Sequence, residues 1–336
     1  MNMQYYKVII FCSNPVTGYF RFKDVFQIYP LKDPKAPRNQ MIRDHSLVFE
    51  YCLTDEGKIR LDNEIKEVGN LTYELTLQVN FQNKILKMLT AFSNFYFFNP
   101  VIVPQWFVRT DGMSEADLNN QTSVVGFNYY DYPEWKEGTP IKEFSKIKFQ
   151  EIEAKEHPHC FQFIDLGGKE PVTFSKYIKG AFHNYFLLSE EQQASVDSSI
   201  ELINQGIKLR TEMRSLSFIA FISAIETMVA LEFKNLPIER CKCCNTEQYK
   251  VMAKFRDYLF KYATGNLDLK KQINDLYSLR SKIAHSGVLM YGDGKIDWTE
   301  APEKGQQSNM QLQSSMLSRV SLMNWILTAG SRSVAT

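Results

Sequence analysis

Arg280 and His285 stand five residues apart in the stretch YSLRSKIAHSG (277–287), and His285 is one of only five histidines in the chain. Histidine exchanges a proton near neutral pH. Arginine keeps its charge and presents forked donors that suit a phosphate whose negative charge redistributes during a reaction. Together they fit ribonucleolytic cleavage. The imidazole would take the proton of a 2′-hydroxyl or return one to the leaving oxygen, and the guanidinium would hold the phosphate, with no cofactor or metal required. The spacing also fits a plain helix end. Five residues turn about 140° around a helix, so the two are not an i,i+4 couple. Arg280 could make a surface ion pair while His285 favours the dipole end. A helix that stops close to His285, as HSG suggests, and a second copy facing the first across a two-fold axis would each favour a shared site.

The same string resembles the R-x4-6-H motif of the HEPN superfamily, in particular the Apea-like HEPN group with its Y-x-x-R-S-x-I-x-H-G-G type of sequence. The order upstream is similar too. An apolar helix with an internal Ala-Ile-Glu (Ala224–Glu226) comes first, then a cysteine-rich loop, then a helix with Lys254, Phe255 and Leu259. A long apolar helix after the Gly/Asp loop YGDGKIDW (291–298) closes the module. The resemblance covers about residues 180–330; where the family often has two glycines after the histidine, this chain has Ser286 and Gly287.

The resemblance implies a four- or five-helix bundle that forms a homodimer, pairing two motifs in one cleft. It implies a metal-independent endoribonuclease that leaves 2′,3′-cyclic phosphate ends. Arg280 would stabilise the scissile phosphate and His285 would act as general acid or base, with Tyr277 and Ser281 in support. It also implies a setting in microbial defence of the anti-phage, abortive-infection or toxin type. RNA, such as tRNA or mRNA, would be the substrate, and a phage trigger or a neutralising protein a further partner. The competing expectation is a non-catalytic HEPN module for dimerisation or for binding RNA or nucleotides.

Glu226 lies among Phe218, Ile222, Ile225, Met228 and Val229, and a carboxylate there is costly to bury without a partner. It either reaches the motif helix and orients Arg280 or lies on a minor polar stripe facing solvent or a partner. Cys241, Cys243 and Cys244 have spacings that suit zinc, but a closed site takes four ligands and no second Cys/His pair is near in sequence. Reduced thiols are the simpler expectation, with HPHC (157–160) as a distant source of further ligands.

The elements that must position these residues divide the chain in two, a β-rich recognition or regulatory domain over 1–170 and an all-α HEPN bundle over 171–336, in an α+β fold. YYKVIIFC (5–12), GYFRFKDVFQIY (18–29), HSLVFEYCL (45–53), GKIRLD (57–62) and NLTYELTLQVNF (70–81) read as strands, followed by TSVVGFNYYDY (122–132) and HCFQFIDL (159–166). One helix interrupts them at 83–98, and the aromatic run 94–107 reads as core. Helices are expected over 189–213, opening on a capping-box pattern at Ser189, and over 215–233, 246–263, 268–285 and 309–330. KYIKGAFHNYF (176–186), with two lysines, a histidine and aromatics, could face RNA.

Lys+Arg (39) and Asp+Glu (38) nearly cancel, so no overall basic field points to nucleic acid or an anionic membrane. Phosphate-loop, dinucleotide-binding, H-E-x-x-H and G-x-S-x-G motifs are absent, which removes those enzyme classes. The N-terminus lacks a basic region and cleavage site and reads as a first strand. Glu226 at the centre of the longest apolar tract argues for a buried helix over a membrane span. Six cysteines in 336 residues are too few for a disulfide framework, and the expected location is the cytoplasm.

Overall fold

The computed structural model describes residues 4–31, 45–53, 70–99, 106–109, 128–131, 139–157, 161, 168–237, 239–240, 243, 247–248, 250–263, 269–293 and 302–333. The chain falls into two compact units, Met1–Cys160 with Ile164–Lys176, and Phe161–Phe163 with Tyr177–Thr336. The first is β-rich, and six of the seven helices among the described residues lie in the second.

Six strands form the sheet of the first unit: β1 (Gln4–Cys12), β2 (Phe20–Phe22), β3 (Phe26–Pro30), β4 (His45–Leu53), β5 (Phe97–Phe98) and β8 (Thr139–Ile141). The order is β2-β3-β4-β1-β5, all antiparallel, with β8 sharing the outer edge of β1. Lys7, Glu50 and Gln27 stand in register across β1, β4 and β3. Glu50 is fully buried and accepts from Gln27 Nε2 (2.7 Å), Tyr29 Oη (2.7 Å), and the Ser145 N–H (2.8 Å) and hydroxyl (2.6 Å). A carboxylate so enclosed stays tolerable only because its oxygens are satisfied. Short strands β6 (Trp106–Arg109) and β7 (Asn128–Asp131) pair in parallel, as do β9 (Ala154–Lys155) and β10 (Phe174–Ser175).

The strand expected over 70–81 is instead the first half of helix α1 (Asn70–Ala91). Thr72, Thr76 and Val79 favour strand by type, but Leu77, Ile85, Leu86 and Leu89 are buried at helical spacing, and packing overrides propensity. Gln78 and Gln82 on this helix meet the Tyr51 hydroxyl at 3.2 and 2.9 Å. The helix ends earlier than expected, and Phe95 and Phe97 beyond it are core. The expected strand at 57–62 lies outside the described residues, as does all of 159–166 except Phe161.

The second unit contains α2 (Ile178–Leu187), α3 (Glu190–Lys208), α4 (Arg214–Glu232), α5 (Val251–Tyr262), α6 (Leu269–Ser286) and α7 (Pro302–Ser333). Helix α2 overlaps the stretch 176–186 that could face RNA, where no helix is expected from the sequence. A two-strand ribbon, β11 (Glu239–Arg240) with β12 (Glu247–Gln248), delays α5 beyond its expected start. Ser189 caps α3 in a capping box completed by Gln192. Helix α4 is central: it contacts α3, α5, α6 and α7. Its buried residues, from Ala220 and Ala224 round through Phe221 and Phe218 to Ile222 and Ser215, cover well over half of its circumference, which fits its near-uniform apolarity. By length and composition it is the one described helix that could cross a membrane; here it fills the bundle. Gly206 of α3 faces Phe221 so closely that a Cβ would lie 2.7 Å from the ring.

Candidate active site at the end of helix α6

Ile273, Leu276 and Ile283 are buried and fix the inner face of α6. Arg280 leaves the helix on that side, near α4, whereas His285 is exposed on the other side. The two nevertheless meet: Arg280 Nη1 is 3.2 Å from His285 Nε2. The long guanidinium stem spans the angle that separates the two Cα positions. Arg280 Nη2 donates to Glu226 Oε2 on α4, also at 3.2 Å. Both partners of this ion pair are mostly sheltered, at 25% and 22% side-chain exposure, so solvent screens it less than a surface pair. One guanidinium therefore bridges a carboxylate on the central helix and the imidazole.

Tyr277 lies one turn before Arg280, whose Cζ is 5.8 Å from its ring centroid. Phe255 of α5 also packs against the Tyr277 ring, in a tilted pair with centroids 5.2 Å apart. Burial pushes the Tyr277 phenol above its ordinary value, and the Glu226 carboxylate adds to the shift while Arg280 opposes it. Ser281 is exposed.

Guanidinium nitrogens only donate. In this contact His285 Nε2 can serve only as the acceptor. In this arrangement Arg280 occupies the lone pair that a general base would use.

No family model, curated protein or solved structure matches the chain.

Beyond His285, α6 stops at Ser286, and Gly287 takes φ +65°, a conformation glycine adopts without a Cβ penalty. The following loop is held by residues that sequence reasoning missed. Asp293 accepts from the backbone N–H groups of Arg214 (2.6 Å) and Ser215 (2.8 Å), capping the start of α4. Arg214 Nη1 donates to the Tyr291 carbonyl (2.9 Å) and Nη2 to Ser308 Oγ (2.6 Å), while the Met290 N–H donates to Ser215 Oγ (2.7 Å). Helix α4 thus holds both sides of the motif, with Glu226 on Arg280 and its first turn on the chain after His285. The acidic residue in YGDG was the available signal, but its partner lies 79 positions away.

Cys241 and Cys244 lie outside the described residues, and Cys243 is exposed. Among the described residues no group of three or more His, Cys, Asp or Glu could hold a metal. His157 Nδ1 contacts Ser175 Oγ at 2.9 Å within the first unit.

Proposed function

We propose that the protein is an endoribonuclease of HEPN type, acting in the cytoplasm as part of a microbial defence system, with its active site completed by a second copy of the chain. The observation that carries this reading is the Glu226–Arg280–His285 relay, in which a buttressed guanidinium touches the imidazole. A helix end with an incidental histidine needs no such buttress.

In the reaction, Arg280 turns from His285 Nε2 onto a non-bridging phosphate oxygen. This frees the lone pair to take the 2′-hydroxyl proton. The 2′-oxygen then bonds to phosphorus and the P–O5′ bond breaks. The leaving 5′-oxygen collects a proton from the second copy's histidine, which enters the reaction as the imidazolium, giving a 2′,3′-cyclic phosphate and a 5′-hydroxyl. Glu226 and Tyr277 position Arg280. The residues supply all the proton transfers and charge stabilisation that this chemistry needs.

The test is end-group analysis of RNA incubated with purified protein in the presence of a chelator. Cyclic-phosphate and 5′-hydroxyl ends are expected. Intact RNA in every condition would leave the module as a dimerisation or RNA-binding unit.

A further inference from the structure

His285 stands at the end of a polar stripe on the outer face of α6. At 3.6 residues per turn, Ser278 and Ser281 fall within about 40° of His285 around the axis, as does Lys271, and Lys270 and Lys282 fall within about 60°. All six are exposed. The three lysines make no ion pair among the described residues, and neither serine hydroxyl is engaged there. Elsewhere in the same unit Lys234 is paired with Glu191 and Lys261 with Glu232. The one acidic residue on α6 itself, Asp275, is half-buried at the margin of the stripe, about 80° from His285. From Lys271 to His285 the stripe rises about 21 Å, enough to follow several nucleotides of an extended strand.

Resting on the ribonuclease reading, we infer that this stripe is the track for the single-stranded RNA flanking the scissile phosphate. Lys270 and Lys271 contact backbone phosphates at one end of the track and Lys282 one nearer the scissile bond, about 16 Å further along, with hydroxyl donors from Ser278 and Ser281 between them. Such contacts carry no base code, so the track selects for an extended strand and not for sequence. A duplex, whose phosphates diverge around an A-form helix, does not follow a straight line of this kind.

The test uses full-length protein and a single strand of about a dozen nucleotides with 2′-O-methyl riboses, which bind but cannot be cut through the 2′-oxygen. The Lys271→Gln/Lys282→Gln double variant should bind roughly tenfold more weakly at low salt. Its slope of log affinity against log salt should be shallower by about 1.4, two phosphate contacts at about 0.7 each. Lys208→Gln, an exposed lysine on α3, should match wild type. The KM of wild type should improve as the strand lengthens along the track, and that of the double variant should improve less, so the ratio of the two KM values grows with length. Wild-type affinity and slope in the double variant would overturn the track while leaving the nuclease intact. Wild-type protein that neither binds nor cuts any RNA would overturn the reading beneath it as well.

Discussion

Arg280 Nη1 and His285 Nε2 lie 3.2 Å apart although their positions on α6 are separated by nearly half a turn. The arginine makes the contact while held from behind by Glu226 on a different helix. Under the proposed mechanism the guanidinium must leave the imidazole before that nitrogen can take a proton.

The first prediction concerns that buttress. Hydrogen bonds to charged groups contribute about 1.5 kcal/mol or more, and each 1.36 kcal/mol is a factor of about ten in rate. Glu226→Gln should therefore slow RNA cleavage about tenfold or more while the unfolding midpoint stays close to wild type. An unchanged cleavage rate in a folded Glu226→Gln protein would remove the positioning role.

The helix-capping clamp should be measurable by stability alone. Met213 occupies the N-cap position of α4 without a side-chain cap, and Asp293 supplies the acceptors from the loop. Loss of such a cap costs about 1–2 kcal/mol. Asp293→Ala should lower denaturant stability by that amount, and Asp293→Asn, which keeps an acceptor, should lose less.

Close approach of α3 and α4 depends on Gly206. Gly206→Ala should destabilise by about 1–3 kcal/mol through overpacking against Phe221. Phe221→Leu should recover part of that loss in the double variant, as expected for residues in contact. Additive losses in a thermal-unfolding cycle would contradict the packing.

Acid sensitivity is expected at Glu232. Burial alone would raise its carboxyl, but hydrogen bonds from Lys261 (2.5 Å), Trp325 Nε1 (2.8 Å) and Tyr262 (3.0 Å) outweigh burial and hold it below the ordinary value of 4.5. A folded-state value below the unfolded one gives stability that is present above the unfolded value and is lost as pH falls through the folded one. Wild type should therefore lose stability on acidification from about 4.5 downward, and Glu232→Gln should show a flatter acid limb. Parallel acid limbs would contradict the assignment.

Local signals carried much of the fold into the sequence. The capping pattern at Ser189 marks the start of α3, and the carboxylate among apolar residues marked Glu226 as needing a partner, which the structure supplies in Arg280. Alternating β-branched and aromatic residues located β1 and β4. The same residue types misled at 70–81, where burial of Leu77 and hydrogen bonding of Gln78 and Gln82 to Tyr51 decide for helix. Long-range pairing was not legible. The Asp293 cap joins residues far apart in sequence, and Arg319, fully buried on α7 with its guanidinium 5.9 Å from the Phe161 ring centroid, looks like any helix-surface arginine in sequence. The 140° between Arg280 and His285 also hid their contact, because helix arithmetic places Cα atoms and not the end of a long side chain.

The central claim is that Arg280 and His285 cleave RNA. The most direct measurement is the cleavage rate of one RNA by wild type, Arg280→Ala and His285→Ala at equal concentration without divalent metal. Each substitution should reduce the rate by about a hundredfold or more; His285→Ala should change stability little, since His285 is exposed, while Arg280→Ala should also lose some stability by leaving Glu226 without its partner. Equal rates in all three proteins would contradict the account.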